Sequence, residues 1–499
     1  MAESLQNVWL VIYLFALFAL FTYGSNCYLL MIYYRLKRPQ ALRQHAEIKK
    51  NFYERYSIKN WPWVTIQLPI FNERYVIERL IQSVCRFDYP KELLQIQLLD
   101  DSTDDTVDIA RTLAEQMKDR GFDIQYIHRD NRSGFKAGAL KEGLKTAGGE
   151  LVGIFDADFV PGPEFLKETV PYFADPEVGM IQTRWGHINS DYSLLTRAQS
   201  MGIDGHFGVE QAARAWGGFF MNFNGTAGIW RKKTIEDAGG WQADTLTEDL
   251  DLSYRAQLRG WKLKFITDVV CPAEVPVTIN AFKSQQHRWA KGSIQTAKKN
   301  LGKLFKSDLP LLVKIQAFLH LTHYMVHPMM LLVLLTSVPM LYSQWFSKNL
   351  SFAIMIFTLL GLATFGPSSM YLFSQRILYR DWKTRIKFLP FLMCLGTGIA
   401  VNNTQAILEA FLDVKNDFVR TPKYGIKKQK DTWRGKGYSI PLSAVSILEL
   451  FSGMYALTGF LMFLFFSKYL VSPFLLIYTA GFFYVFFLSV KHGYGKTQS

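Results

Sequence analysis

Two aspartates, Asp156 and Asp158, follow directly on the apolar run 151–155. A short continuous apolar run predicts a strand that is buried on both faces. Open α/β sheets bind their ligands at the carboxyl ends of such strands. Paired carboxylates there suit a hard divalent cation such as Mg²⁺ or Mn²⁺, which shares its coordination with substrate phosphates. The alternative is a simple acidic turn, so other motifs must decide between the two interpretations.

A second acidic pair, Asp100 and Asp101, ends a predicted strand at 94–99. Strands that alternate with helices predict a mostly parallel α/β sheet. Two strands of one sheet that both end in carboxylates favour a shared nucleotide site over two unrelated turns. The other predicted strands are 63–69 and 124–127, and the predicted helices are 75–86, 106–118 and 137–146.

A third acidic motif follows Thr247, which is a candidate helix N-cap. Glu248 and Asp249 then fall in the first turn of a predicted helix, where the helix dipole favours ionised carboxylates. Such first-turn acids are common and need no further role. The functional alternative is that one of them is a general base, which must be ionised and within hydrogen-bond reach of a sugar hydroxyl.

Residues 279–305 predict a basic, aromatic, amphipathic helix of the kind that lies at a membrane surface. Its simplest role is to anchor the chain there. A more specific role uses Arg288 as a permanently charged, bidentate clamp for a diphosphate. Trp289 would then offer a flat surface on which a sugar ring stacks.

The composition predicts a soluble part and a membrane part in one chain. Of the 499 residues, 49% are hydrophobic and 20% are charged, and the net charge is +14. In a membrane protein, excess Lys and Arg indicates cytoplasmic loops. No RNA-binding signature supports nucleic acid as a partner. The four cysteines are scattered without metal-ligand spacing, which is typical of inert thiols in a reducing compartment.

Five segments are apolar and long enough to cross a lipid bilayer. Basic residues directly after the first segment place the N-terminus outside and the following chain in the cytoplasm. Residues 383–413 are apolar but interrupted by polar side chains. A crossing there would put the basic loop 414–437 outside, so we assign 383–413 to an interface helix. The five spans are 8–34, then 313–342 and 350–375 (the unit 313–375), and 441–467 and 470–490 (the unit 441–490).

Three histidines, His320, His323 and His327, form one stripe on the second predicted span. Ionisable residues inside a membrane are functional candidates by default, and lining a channel is one interpretation. The other is that neutral histidines near an interface hydrogen-bond to neighbouring helices.

Over nearly its whole length, the order of these motifs resembles the processive branch of family 2 glycosyltransferases, the membrane cellulose, mannan, chitin and hyaluronan synthases. The resemblance implies that Asp100 and Asp101 hold the nucleoside. It also implies that Lys136, in a Phe-Lys-Ala-Gly segment, approaches the nucleotide. Asp156 and Asp158 match the metal motif, with Asp156 also close to the substrate.

The downstream motifs carry the rest of the resemblance. It implies that Asp249 is the catalytic base, with Glu248 beside it in the substrate site. Gln285, Arg288 and Trp289 match a Gln-x-x-Arg-Trp motif that marks polymer-forming members.

A last motif, Phe418–Lys423, resembles the gating loop of bacterial cellulose synthase, which inserts over the bound nucleotide. The resemblance implies nucleotide contacts from Thr421 and Lys423. Arg420 stands where that loop usually has valine. Within the family, the segments 182–185, 223–230 and 285–289 look most like the plant cellulose-synthase-like mannan and glucomannan synthases and their xyloglucan-backbone relatives.

The resemblance implies a GT-A type α/β nucleotide-sugar domain at 60–278, embedded in a multi-span helical membrane protein. The expected activity is inverting polymerisation of a β-glucan or β-mannan from UDP-glucose or GDP-mannose, onto a growing glycan acceptor. The expected location is a multi-pass integral membrane protein with a cytoplasmic catalytic domain, in a bacterial inner membrane or a Golgi membrane. An accessory subunit for export of the glycan is a possible further partner.

Two other functions fit parts of the sequence. A transferase of a single sugar to a lipid acceptor, like ceramide glucosyltransferase or a polyprenyl-phosphate sugar transferase, would share the Asp-x-Asp and Arg-Trp chemistry. A non-enzymatic transporter would not need a soluble α/β insert with three acidic motifs. The gating-like segment and the number of spans favour the polymerase.

Overall fold

The computed structural model describes residues 2–341, 350–415, 419–438 and 440–493. The positions named from the sequence that lie outside these ranges are the last residue of the predicted span 313–342 and residues 416–418 of the basic loop 414–437, which include Phe418 of the gating-like motif.

A seven-stranded sheet forms the centre of the soluble part. The strand order is β3-β2-β1-β4-β6-β5-β7, and every neighbouring pair is parallel except the two that involve β6. The mixed, mostly parallel α/β fold predicted from the sequence is therefore confirmed. The strands are Val64–Ile70 (β1), Leu94–Asp100 (β2), Asp123–His128 (β3), Leu151–Ile154 (β4), Val178–His187 (β5), Gly228–Arg231 (β6) and Lys262–Ala273 (β7).

Helices cover this sheet, and two buried apolar clusters lie against it. The apolar side chains of β1 and β4 are almost all fully buried, as expected for strands covered on both faces. The helices of this part are Ile77–Val84 (α2), Thr106–Asp119 (α3), Phe135–Thr146 (α4), Phe165–Thr169 (α5), Leu194–Gly205 (α6), Gln211–Gly217 (α7), Lys232–Asp237 (α8) and Glu248–Leu258 (α9).

In the described ranges, ten further helices precede or follow the sheet. The first, Ala2–Arg55 (α1), continues well beyond the predicted span 8–34 as one helix through Pro39. The others are Ile279–Lys306 (α10), Leu311–Leu321 (α11), Val326–Leu341 (α12), Leu350–Leu378 (α13), Trp382–Arg385 (α14), Leu389–Gly398 (α15), Ala400–Phe411 (α16), Val445–Phe465 (α17) and Ser472–Gly493 (α18).

Five of the described helical segments are long and apolar enough to cross a membrane, namely Gln6–Arg55, His323–Leu341, Ile354–Leu378, Val445–Phe465 and Ser472–Gly493. The pair Trp382–Gly398 and Ala400–Phe411 is bent by 40° and would make a sixth crossing if it counted as one span. These helices make the chain a membrane protein.

The predicted span 313–342 is not one continuous helix. It breaks between α11 and α12 at a short 3₁₀ turn, His323–Met325. Pro328 lies at the third residue of α12 and has no amide hydrogen for a carbonyl of the preceding turn. The Thr322 hydroxyl and the His323 ring donate instead to the carbonyls of Phe318 (2.6 Å) and His320 (2.7 Å). These local hydrogen bonds compete with the helix ladder and fix the break.

Helix α10 connects the sheet domain to the membrane helices. Its buried Lys283 pairs with Glu449 of α17 at 2.6 Å, and the Asn280 amide reaches the Ser489 carbonyl of α18 at 3.4 Å. The amide of Asn402 in α16 donates to the Lys283 carbonyl at 3.0 Å. The residues of the Gln-x-x-Arg-Trp motif therefore lie on a helix whose position is set by three membrane-associated helices.

Candidate active site

A cleft of about 1320 Å³, open to solvent, lies at the carboxyl ends of β1, β2, β4, β5 and β7. This is where open α/β sheets place their ligands. Residues of helices α9 and α10 line its other sides, together with Arg420, Thr421 and Lys423. Eleven of the residues predicted from sequence line it: Asp101, Lys136, Asp156, Asp158, Glu248, Asp249, Gln285, Arg288, Trp289, Thr421 and Lys423.

Asp156 lies just past the end of β4, and its carboxylate pairs with the ammonium of Lys136 from α4. The same ammonium donates to the Gly225 carbonyl at 2.8 Å. Although burial acts to lower the pKa of Lys136, the charges of Asp156 and Glu248 raise it. The lysine is therefore a fixed positive charge in the floor of the cleft.

Asp158 is buried, and its carboxylate pairs with Lys423 at 2.6 Å. Lys423 also donates to the Glu274 carbonyl at 2.8 Å. The Glu274 carboxylate, just past β7, accepts the backbone amides of Tyr424 (2.9 Å) and Ile426 (3.2 Å). One buried glutamate thus anchors the gating-like segment at the cleft. Nothing in the sequence around Glu274 signals this role, because the contact joins residues about 150 positions apart.

Glu248 and Asp249 occupy the first turn of α9 and both face the cleft. Burial raises the pKa of Asp249 to about 7, and the neighbouring charge of Glu248 adds to the effect. Burial also raises the pKa of Glu248, against the charge of Lys136. Two close carboxylates in a partly desolvated site cannot both ionise easily, which is the usual setting of a general base.

Arg288 and Trp289 reach the cleft from α10, together with Gln285. The Arg288 guanidinium donates to the Val419 carbonyl at 3.0 Å. Burial lowers the pKa of Arg288, while the charges of Glu248, Asp156 and Asp249 oppose that shift. This guanidinium therefore lies in the field of the acidic residues, where an anionic ligand would meet it.

The two members of the first acidic pair have different environments. Asp101 lines the cleft and is held by two hydrogen bonds from Arg129, at 2.7 and 2.5 Å. Asp100 does not line it. Its carboxylate is fully buried and accepts from the Tyr126 hydroxyl (2.7 Å) and the Ser102 amide (2.8 Å). Asp100 thus shapes the turn that presents Asp101, because its oxygens are occupied by the protein itself.

Two further charged residues at the same end of the cleft were not predicted as site residues. Glu73, in the Asn-Glu that follows β1, pairs with Arg420 at 2.7 Å, and burial raises the pKa of Glu73 to about 7. The guanidinium of Arg132 lies 3.4 Å from the ring centre of Phe71. A carboxylate directly after a strand end was the available signal for Glu73, as it was for Asp101.

The three histidines of the membrane part are hydrogen-bonded to neighbouring groups. His320 Nδ1 lies 2.8 Å from the Tyr254 hydroxyl of α9, and His327 Nε2 lies 2.9 Å from the Asn403 amide of α16. His323 bonds the His320 carbonyl. Among the described residues none of the three lines the cleft.

Comparison with known proteins identifies the family. Residues 62–292 match the sequence profile described as "Glycosyltransferase like family 2". Probable glucomannan 4-beta-mannosyltransferase 10 of Arabidopsis thaliana is 32% identical over 464 residues, which is 90% of this chain and 80% of that protein. This chain belongs to glycosyltransferase family 2.

Other relatives of this family 2 protein align over less of their length. Glucomannan 4-beta-mannosyltransferase 2 of Arabidopsis thaliana is 46% identical over 244 residues, 48% of this chain and 46% of that protein. In this and four other such alignments, the family 2 chain spans about half the length of the curated relatives it matches.

Among solved structures, a mannosyltransferase from Pyrobaculum calidifontis, described in complex with GDP-Man and Mn²⁺, is 21% identical. The match covers 79% of this family 2 chain and 100% of the other, with a TM-score of 0.46.

Proposed function

We propose that this family 2 member is a membrane-embedded inverting glycosyltransferase that polymerises a β-linked glycan, a β-glucan or β-mannan, from UDP-glucose or GDP-mannose. The observation that carries the proposal is that one cleft contains all the groups the reaction needs. It brings Asp249, with a pKa near 7, together with the Asp156–Asp158 pair and the cations Lys136 and Arg288. A base, a carboxylate pair and fixed positive charges are the groups that displacement of a nucleoside diphosphate requires.

The carboxylate pair fits a divalent cation, Mg²⁺ or Mn²⁺. Each carboxylate already faces a cation from the cleft, an ammonium of Lys136 or Lys423. Among the described residues no cluster of three or more histidine, cysteine or acidic side chains could hold a metal alone. Mg²⁺ commonly uses only one or two carboxylates and takes its other ligands from substrate phosphates and water. When bound, such an ion neutralises charge on the diphosphate leaving group.

The protein groups then divide the reaction between them. Asp249 accepts the proton of the acceptor hydroxyl. The hydroxyl oxygen at the same time attacks the anomeric carbon of the donor sugar. Lys136 and Arg288 hold the diphosphate and stabilise its charge as the bond to the sugar breaks. Trp289 offers a flat aromatic surface to the acceptor sugar. Most of the rate enhancement comes from positioning and preorganised charge.

The main alternative is transfer of one sugar to a lipid acceptor. The gating-like segment 419–426, which is held at the cleft by Lys423, and the five candidate spans favour polymer synthesis. A single transfer needs neither a cover over the donor site nor an exit path. The test is to incubate the full-length protein in lipid nanodiscs with radiolabelled UDP-glucose or GDP-mannose and separate the products by size. Long, glycosidase-sensitive polymer supports the proposal, and a single solvent-extractable glycolipid would refute it.

The same proposal places the catalytic domain in the cytoplasm, in a bacterial inner membrane or a Golgi membrane, where nucleotide sugars are supplied. The acceptor site adjoins the membrane helices through α10, so the glycan would leave between them, with or without an accessory subunit. In sealed vesicles, product found only on the side that received the donor would count against export.

The pH dependence of transfer should follow the ionisation of Asp249. Since its pKa is about 7, the carboxyl is neutral and inactive as a base below that pH and ionised above it. We expect kcat/KM to rise about tenfold per pH unit up to about pH 7 and then level off. The measurement is nucleoside diphosphate release from about pH 5 to about pH 9. In Glu248→Gln the midpoint should move to lower pH, because a neighbouring negative charge is removed. A flat wild-type profile across this range would contradict the assignment.

Gly225→Ala should reduce transfer by about ten- to a hundredfold. A methyl carbon at this position would lie 3.0 Å from Asp249 Oδ2 and 3.3 Å from Lys136 Nζ, so one of the two groups must move. Gly225 also has φ +82°, which costs any other residue about 1–2 kcal/mol. Gly218→Ala is the matched control, since φ is +73° there but no atom lies within 4 Å of the added carbon. Equal losses in both variants would show that backbone strain alone is responsible.

A further inference from the structure

A second cleft, of about 880 Å³ and open to solvent, lies between the sheet domain and the membrane helices. It is lined by α6 and the turn before it, by the segment 375–388, and by Gln429 of the basic loop 414–437. The candidate span Ile354–Leu378 ends within that segment, and Tyr379 and Trp382 follow it. Tyrosine and tryptophan are typical of the interface between membrane and water. This membrane-side cleft therefore lies at the level of lipid headgroups.

Three cations from different elements line the membrane-side cleft. Arg197 of α6 and Lys387 both lie near the ring of Phe388, with the guanidinium carbon 4.8 Å and the ammonium nitrogen 5.3 Å from the ring centre. The third cation is Arg385 of α14, whose guanidinium carbon lies 3.7 Å from the ring centre of Tyr379. A ring face attracts a cation and leaves its charge in place. The aromatic rings therefore hold three positive charges around one space.

The one buried acid of this cleft is satisfied by the protein itself. Asp204 accepts hydrogen bonds from the Gln375 amide at 2.9 Å and from the Tyr379 hydroxyl at 3.1 Å. Nε2 of His187 lies 2.9 Å from the same carboxylate. With three partners of its own, this carboxylate does not need the cations of the cleft.

The two exposed acids leave much of the cationic surface available. Both oxygens of Asp381 accept from a single nitrogen, Nε of Arg385, at 3.0 and 3.2 Å. Asp191 lies 3.5 Å from Nε of Arg197, and its side chain is largely exposed. Within the described ranges, Lys387 and the terminal nitrogens of both guanidinium groups form no hydrogen bond. These N–H groups are the donors that a phosphate binds best.

The chain on both sides of the membrane-side cleft is strongly basic. Residues 376–387 contain five Lys or Arg and one Asp, and residues 427–436 contain the same numbers. Basic pockets beside membrane helices bind phosphate-containing lipid headgroups on the cytoplasmic side, where anionic lipids are concentrated. The assignment to that leaflet rests on the proposed cytoplasmic location of the catalytic domain.

An apolar surface next to the cleft favours a lipid over a soluble phosphate. Helix α15 begins directly after Phe388 and is mostly apolar, and the side chain of Phe391 on it is exposed. The acyl chains of a lipid whose headgroup fills the cleft can lie along this helix. A free phosphate would make no use of it.

The basic loop reaches the cleft through one residue. The Gln429 amide donates to the Asp191 carbonyl at 2.9 Å. Gln429 follows closely on the gating-like segment 419–426, which Lys423 holds at the active site. A headgroup in the membrane-side cleft would thus contact the loop just beyond that segment.

We propose that the membrane-side cleft binds the phosphate of an anionic lipid headgroup through Arg197, Arg385 and Lys387, and that the bound headgroup holds the loop around Gln429 in place. The ligand is a phospholipid with a net negative charge. The site is separate from the active site, and no step of glycosyl transfer takes place in it.

Binding is tested with full-length protein in a neutral detergent. Phosphatidylglycerol is titrated, and protein–lipid complexes are measured by native mass spectrometry. Phosphatidylcholine, which has no net charge, and glycerol phosphate, which has no acyl chains, are titrated in parallel. We expect the first phosphatidylglycerol to bind about tenfold or more tightly than either of them. Equal affinity for phosphatidylcholine would show that negative charge is not recognised. Equal affinity for glycerol phosphate would identify a soluble phosphate as the ligand, and either result overturns the proposal.

Two matched pairs of substitutions separate the site from general surface charge. Arg197→Gln/Lys387→Gln should weaken binding of the first phosphatidylglycerol about ten- to thirtyfold. Arg380→Gln/Lys383→Gln removes the same charge from exposed positions that do not line the cleft. It should weaken binding less than about threefold, since exposed charges are screened by water and salt. Equal losses in both pairs would mean that the lipid is attracted by diffuse charge, and would overturn the proposal.

The effect on the loop is tested by limited proteolysis in nanodiscs. Trypsin cleaves after lysine, and Lys427, Lys428 and Lys430 are exposed. Cleavage there should be several-fold slower in nanodiscs that contain phosphatidylglycerol than in phosphatidylcholine alone. Arg197→Gln/Lys387→Gln should lose this protection, although it retains every lysine of the loop. Protection that persists in this variant would refute the link between the site and the loop.

A single substitution decides the case in which the double variant does not fold. Lys387 is exposed, so Lys387→Gln should fold, and it should weaken binding of phosphatidylglycerol about fivefold. An unchanged affinity in Lys387→Gln would overturn the proposal. None of these measurements uses glycosyl transfer, so failure of the proposed function would leave their outcome unaffected.

Discussion

Asp249→Asn is expected to reduce glycosyl transfer by about a thousandfold or more, while nucleotide binding stays close to wild type. General-base catalysis typically contributes about 10²–10⁴ to the rate, and an amide cannot accept the proton. Asparagine has the same shape as aspartate, and the existing contact of Oδ1 with the Leu250 amide (2.8 Å) survives the change. The variant therefore removes the chemistry and leaves the fold. The measurement is steady-state product formation beside nucleoside diphosphate binding by calorimetry.

The matched control for this experiment is Asp119→Asn, which makes the same substitution at an exposed position at the end of α3. It should leave product formation within about twofold of wild type, as expected for a surface position. Above about pH 7, Glu248→Gln should be slower than wild type but faster than Asp249→Asn, since loss of the neighbouring charge lowers the pKa of Asp249 and makes it a weaker base. If Glu248→Gln were the inactive variant and Asp249→Asn were active, the base would have been assigned to the wrong carboxylate.

The sheet could be predicted from the sequence because its strands are short apolar runs that end in polar motifs. β1, β2 and β4 begin and end within about one residue of the predicted bounds. Parallel strands that end in carboxylates must bring them to one edge, and Asp101, Asp156 and Asp158 do meet there. This follows from topology and needs no knowledge of side-chain contacts.

The sequence could not show which of two residues of the same type is buried inside the protein and which faces the cleft. Asp100 and Asp101 are adjacent, yet successive side chains at a strand end point in opposite directions. One is therefore satisfied inside the protein, and the other faces the cleft. Glu274 and Glu73 were missed for a related reason. Their roles come from contacts with Tyr424 and Arg420, which belong to a segment far along the chain.

The structure explains why Arg420 stands where the gating loop usually has valine. Its guanidinium pairs with Glu73 and lies 4.3 Å from the ring centre of Tyr438. An arginine there adds a charged contact to a segment that already uses Lys423 on Asp158. Lys423 of the gating-like segment thus pairs with the Asp158 carboxylate, which the proposed metal would use. Binding of the metal with the substrate would therefore require the Lys423 side chain to move.

Arg288→Ala is the second change with a large expected effect, a loss of about a hundred- to a thousandfold in kcat/KM for the donor. That is the usual cost of removing one preorganised group from developing charge. The guanidinium is only partly exposed and lies among Glu248, Asp249 and Asp156, so an incoming diphosphate is the anion that best offsets its burial. Arg288→Lys should recover part of the rate, because it keeps the charge but loses the planar fork.

Arg288 also donates to the Val419 carbonyl, so the loss in Arg288→Ala could come from a loosened segment instead of a missing charge. The two causes differ in their signature. A missing diphosphate contact weakens nucleoside diphosphate much more than nucleoside, whereas a loosened segment changes both by a similar factor. The control is Arg434→Ala, at an exposed position of the basic loop 414–437. It should leave the affinities for nucleoside and for nucleoside diphosphate unchanged. Equal weakening of nucleoside and nucleoside diphosphate in Arg288→Ala would assign the arginine to the segment and remove it from the proposed chemistry.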